Sequence, residues 1–169
     1  MFLDESGFHV AMTRAYGRAP SHERAIDRVP RNHGRNQTLL CALSLAGPQA
    51  AFILDGPLNG DVFEWYVSEI LCPTLEEGQV VVMDNLSSHH RASIRTLLEA
   101  KGCTLLFTSP YSPDFNPIEL MFSKLKALVR GGAWRVVTEV HNAIGAALNA
   151  VSHVDIQHWF KHAHPKILS

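Results

Sequence analysis

The chain has 169 residues, 46% apolar and 18% charged, with a formal net charge of −1. That length and balance exclude a disordered charged tail and point to one folded domain with a sizeable core. No run of eighteen or more apolar residues appears, so no membrane span is expected, and MFLDESGF lacks the basic and apolar regions of a secretory leader.

Met1 to Phe8 predicts a short strand whose carboxyl end carries Asp4, Glu5 and a Ser6–Gly7 turn. Residues 9–36 are polar and Arg-rich, punctuated by Gly17, Pro20, Pro30 and Gly34. They read as a short strand at 9–15 followed by a long irregular segment, a length that is usually functional or mobile. QTLLCALSL (37–45) and AAFILD (50–55) read as a hairpin turned at Gly47–Pro48. Asn59 to Leu71 carries a helical apolar face, with Asn59 or Asp61 as cap.

QVVVMD (79–84) is a continuous apolar run, expected to be a strand buried on both faces and ending in Asp84. A helix over Ser88–Lys101 should stop at Gly102, and Cys103–Phe107 is a further buried strand. Then comes TSPYSPDFNPIELMFSKLKALVR (108–130). Its prolines stiffen a loop, Asn116 is a good N-cap, Pro117 a good first helical residue, and Glu119 falls three residues after the cap. Ile118, Met121, Phe122, Leu125 and Val129 form the apolar stripe. Glu119, Ser123, Lys126 and Arg130 lie on the other side. Gly131–Gly132 should break this helix. Helices over Val136–Val151 and Asp155–His162, the latter capped by Asp155, complete a mixed α/β layer architecture.

Charge is segregated along the chain. Residues 1–36 hold six arginines against four acids, residues 37–85 hold seven acids and no Lys or Arg, and residues 86–135 hold seven basic residues against three acids. An acidic middle between basic segments suits localised basic surfaces beside an acidic site, and equally an ordinary solvated surface. Three cysteines far apart in apolar contexts, Cys41, Cys72 and Cys103, read as buried free thiols in a reducing cytoplasm. The histidines form no HExxH arrangement, so a zinc hydrolase site is not expected.

Asp4, Asp84 and Glu119 stand out among the acids. Open α/β sheets place their sites at the carboxyl ends of strands, where Asp84 falls. A buried, unpaired carboxylate costs several kcal/mol, roughly, and a divalent cation is one remedy. Each acid also has a local explanation: Glu119 in a capping box with Asn116, Asp84 capping the next turn, Asp4 at a solvated strand end. Spacing alone leaves both readings open.

DESGF around Asp4, VVMDNLSSHH around Asp84 and PYSPDFNPIELMFSKLKALVR around Glu119 closely resemble the DDE transposases of bacterial insertion sequences related to mariner elements, the insertion sequence 630 group. Thirty-four residues separate Asp84 from Glu119, as in that group, and MTRAYGRAP and FILDGPLNG extend the resemblance over nearly the whole chain. The resemblance implies a ribonuclease-H-like fold with a mixed central sheet of about five strands flanked by helices. It implies that Asp4, Asp84 and Glu119 are catalytic and hold two Mg²⁺ (or Mn²⁺) ions. The activity implied is DNA strand cleavage at transposon ends, then attack of the freed 3′-hydroxyl on target DNA, commonly at TA.

Asn85 and His89 fall where the family usually has Asn and His, and support the site or shape the turn. His90 is incidental, and Glu5, on the other side of its strand, is left out of the metal site. Tyr111, Lys126, Arg130, Arg14 and Arg18 are candidate DNA contacts, against roles in packing or solvation. The partners implied are transposon-end and target DNA and a second subunit in a homodimer, with no membrane. The location implied is the cytoplasm, and the nucleoid when bound to DNA. The family's N-terminal helix-turn-helix has no counterpart here. The expectation is a single catalytic domain over 1–169, from a frameshifted second reading frame or a truncated copy. The alternative is an impaired remnant that binds DNA or full-length transposase.

Overall fold

A computed structural model describes residues 1–14, 16–26, 32–109, 113–132 and 134–164. Strands β1 (Phe2–Phe8), β2 (Gln37–Ser44), β3 (Gly47–Asp55), β4 (Val80–Met83) and β5 (Thr104–Phe107) form one sheet in the order β3-β2-β1-β4-β5. β1–β2 and β2–β3 are antiparallel, while β1–β4 and β4–β5 are parallel. The first strand in sequence therefore sits in the middle of the sheet.

Alternation along β1 builds a core on each face. Phe2 and Phe8 point to one side, where helices α3 (Pro117–Arg130), α4 (Val137–Asn149) and α5 (His153–Ala163) cover Leu39, Cys41 and Leu43. Leu3 points to the other, where α1 (Gly60–Tyr66) and α2 (Ala92–Ala100) cover Leu40, Val81, Met83 and Leu105. Each buried large side chain contributes roughly 1.5–3 kcal/mol by leaving water. All three cysteines are buried free thiols, and burial pushes the Cys41 thiol up to about 12.

The stripe expected on α3 is the one observed: Ile118, Met121, Phe122, Leu125 and Val129 are buried. Asn59 caps α1 by accepting from the Val62 N–H at 2.9 Å. The helix then continues as a π-helical turn, Val67–Leu71, and Tyr66 donates its hydroxyl hydrogen to the Ala50 carbonyl at 2.7 Å. Gly102 ends α2 with a positive φ of 71°, a conformation that suits glycine.

Several expectations are corrected. Residues 9–15 form no strand where they are described: His9 to Arg14 are turn and loop, with Ala11 and Met12 buried. The hairpin turns at Leu45–Ala46, and β3 already starts at Gly47. The segment 88–101 is a 3-10 turn, Ser87–His90, then α2. α5 begins earlier than expected because Ser152 is its cap, accepting from the Asp155 N–H, while Asp155 occupies the third helical position. Gly131 does end α3. A side chain at Gly132 would collide with the Trp134 ring, which folds back so that its Nε1–H donates to the Val129 carbonyl at 2.8 Å.

Candidate active site

Register brings two of the acids together. Phe2 of β1 pairs with Val82 of β4 in parallel, and both face the α3 side. Asp4 lies two residues on from Phe2 within β1, and Asp84 follows directly on the end of β4, two residues on from Val82. Asp4 is only 6% exposed. Its Oδ1 accepts from the Glu5 backbone N–H at 2.8 Å, and its Oδ2 accepts from Asn116 Nδ2 at 2.8 Å. Burial pushes the Asp4 carboxyl up to about 7. The Glu5 N–H opposes that rise, and the charges of Glu5, Glu119 and Asp84 add to it.

Glu119 lies in the first turn of α3, exposed and without a hydrogen-bond or ion-pair partner among the described residues. Asn116 makes no side-chain cap, so the capping-box explanation of Glu119 does not hold. The start of α3 is served by the Asn116 carbonyl, which accepts from the Glu119 N–H at 3.2 Å.

Asp84 is half-exposed and differently supported. Its Oδ1 accepts from the Leu86 N–H at 3.1 Å and from His89 Nδ1 at 2.6 Å. Burial raises the Asp84 carboxyl, but the His89 and Leu86 hydrogen bonds outweigh it, and the net shift is downward. His89 is fully buried, its ring 4.2 Å from that of Phe63. Its Nε2 lies 3.3 Å from Glu5 Oε2, within ion-pair range but off-angle, so both atoms lack a good hydrogen bond. Burial lowers the His89 pKa, the Asp84 and Glu5 carboxylates raise it, and the outcome is about 9. His89 is thus a cation on the α1 side of the sheet between two acids.

Asn85 Nδ2 donates to the Thr108 carbonyl at 2.9 Å, tying the ends of β4 and β5. His90 is not idle: its ring stacks on Phe107 and its Nε2 meets Asn85 Oδ1 at 2.9 Å. Among the described residues, no three His, Cys, Asp or Glu side chains stand close enough to ligate one ion in this arrangement.

A family profile described as DDE superfamily endonuclease matches residues 1–140. The chain belongs to that family.

Solved structures with the same fold include Mos1 transposases. The Mos1 paired-end complex with left transposon end aligns with a TM-score of 0.79 at 15% identity, covering 98% of this chain and 52% of that one. A pre-cleavage Mos1 transpososome aligns at 0.78 and 15% identity, covering 99% and 54%. The catalytic domain of Mos1 mariner transposase aligns at 0.70 and 14% identity, covering 96% and 75%. The chain spans about half the length of the first two. Other Mos1 paired-end complexes were solved with Mn or Mg. These identities carry the fold alone, and the fold is ribonuclease-H-like. Both comparisons agree with the resemblance to mariner-related transposases drawn from the motifs. No curated protein sequence matches significantly.

Lys126 and Arg130 are half-buried on α3, about 10 and 16 Å along its axis from Glu119. Arg130 adjoins His9, whose imidazole is held down by burial and by the charges of His33 and Arg130. Arg14 and Arg18 are exposed and line a cleft of about 550 Å³ with Arg24 and Tyr16. Tyr111 lies outside the described residues. No helix is long and apolar enough to cross a membrane among the described residues.

The sequence reading passed over Asn116 and Glu5. Local rules assign Asn116 to capping, and no sequence signal contradicts them. Glu5 carries no sequence signal for this contact, because His89 stands in a polar stretch and its burial against Phe63 appears only in the fold.

Proposed function

We propose that this chain is a transposase catalytic domain that cleaves DNA at transposon ends and transfers the 3′-hydroxyl strand to target DNA. The observation that carries the reading is the register placing Asp4 beside Asp84, with the charge of Glu119 felt at Asp4. Asp4, buried with its carboxyl raised to about 7, feels the charges of Glu119 and Asp84, and three such carboxylates suit a hard divalent cation with oxygen ligands. Asp4, Asp84 and Glu119 would hold two Mg²⁺ or Mn²⁺ ions. Such ions, when bound, supply Lewis acidity at the scissile phosphate and activate the attacking oxygen.

The chain's own groups do the positioning. The Glu5 N–H and the Asn116 amide fix the Asp4 oxygens. His89 and the Leu86 N–H hold Oδ1 of Asp84, which leaves its second oxygen for a ligand. Asn85 braces the loop after β5 that leads toward Glu119. Lys126, Arg130, Arg14 and Arg18 would contact backbone phosphates of transposon-end or target DNA, with Tyr111 as a further contact. Two copies would act together as a homodimer, each contributing residues 1–169 as one catalytic unit.

The test is strand cleavage of a transposon-end duplex in Mg²⁺, with and without an upstream DNA-binding domain supplied in fusion. Cleavage by the wild-type chain and none by Glu119→Gln is expected. Equal cleavage by the two sinks the assignment. Tight binding to DNA or full-length transposase, with no metal-dependent nicking under any reconstitution, favours a non-catalytic partner instead.

A further inference from the structure

Two asparagines precede helices in this chain, and they do different things. Asn59 caps α1 in the ordinary way, its Oδ1 accepting from the Val62 N–H. Asn116 sits at the same position before α3 but makes no cap. Its side chain is 6% exposed and reaches across 112 residues of sequence to donate to Asp4 Oδ2. Among the described residues its other amide atom, the buried Oδ1, has no hydrogen-bond partner.

Buried polar groups are nearly always paired, so an orphaned amide oxygen marks a residue kept for its other half, or for a ligand. The Glu119 N–H of that first turn is served by the Asn116 carbonyl and not by its side chain. Packing alone would favour an apolar side chain of the same shape. What the residue does is join β1 to the first turn of α3, three residues from Glu119.

We propose that Asn116 is a positioning residue that holds Asp4 in register with Glu119, so that acids from opposite ends of the chain share one divalent-cation site. The unpartnered Oδ1 is an acceptor for water carried by a hydrated cation; Mg²⁺ keeps several waters when it binds protein. This rests on the metal reading of the site above.

The experiment is titration of the full chain with Mn²⁺, followed by electron paramagnetic resonance and calorimetry, for wild type, Asp4→Asn, Asn116→Ala and Asn116→Leu. Asp4→Asn should abolish tight binding. Both Asn116 variants should bind about 10–100-fold more weakly, the range for partners that orient metal ligands. Asn116→Leu keeps the branched shape and heavy-atom count and removes the orphaned oxygen, while Asp4 Oδ2 loses its donor; it should remain folded by circular dichroism, at a lower unfolding midpoint, while its Mn²⁺ affinity falls. Wild-type affinity in folded Asn116→Leu, with binding lost in Asp4→Asn, overturns the role of Asn116 and leaves the site reading standing. Wild-type affinity in Asp4→Asn overturns both.

Discussion

Asp4 lies within β1 and Asp84 directly after the end of its parallel neighbour β4, yet their surroundings push them in opposite directions. Asp4 is enclosed, with two neutral donors and three acids for company, and its carboxyl is raised. Asp84 is open to solvent on one side and tied to a cationic imidazole, and its carboxyl is lowered. The difference separates two ways of supporting a functional acid. One is held ready by its own counter-ion; the other remains a buried charge with no cation among its described partners.

Four experiments test that contrast. The largest effect is on catalysis, where both acids matter alike: Asp4→Asn and Asp84→Asn should each reduce Mg²⁺-dependent cleavage beyond the roughly 10–100-fold typical of outer-shell partners. Cleavage rates on a transposon-end duplex measure it. Stability should split the pair. His89→Ala removes the cation from between Asp84 and Glu5 and should cost about 3–5 kcal/mol, the range for breaking a buried ion pair from one side. Urea unfolding reads this directly.

Asp4→Asn should instead stabilise metal-free protein at pH 8 by about 1–3 kcal/mol, by removing a buried charge that lacks compensation. Asp84→Asn, with His89 left behind, should destabilise. If both substitutions move the unfolding midpoint the same way, the contrast fails.

The smallest effect comes from a reference carboxylate outside the site. Asp155 is held down to about 2 by Lys124, aided by the Ser152 hydroxyl and N–H. A depressed carboxyl stabilises the fold above its ordinary value near 4 and loses that contribution as pH falls through about 2. Lys124→Ala should therefore cost about 0.5–1 kcal/mol at pH 7, a surface pair screened by water. The gap from wild type should close between pH 4 and 2 in thermal melts. A constant gap would show that Lys124 acts through packing.

Much of this was legible in the sequence. The α3 stripe follows from 3.6-residue periodicity, and the apolar run 79–84 gave both β4 and the acid at its end. What escaped involves long-range partners or mimicry of local signals. HVAMTRA reads as a short strand, but Ala11 and Met12 are buried as loop residues, and beyond Phe8 the chain leaves its pairing with β2. Asp155 resembles a cap because a capping box holds two candidate residues three apart, and Ser152 won. Alternation correctly turned Glu5 away from Asp4, yet could not show that the turn at 87–90 would deliver His89 to it. Asn116 obeys every local rule for a cap, and only the position of β1 in the finished sheet reveals its partner.

The central place of β1 has a consequence for the order of folding. Its antiparallel neighbours are complete once the chain reaches Asp55, but β4 arrives only at Val80 and Asn116 later still. Through that interval β1 is the bare edge of a three-stranded meander. Such edges recruit strands from other molecules unless charge blunts them. Asp4 and Glu5 put one acid on each face of this edge. A charge on each face is what blunts such an edge, so Asp4 and Glu5 would guard the unfinished chain against aggregation.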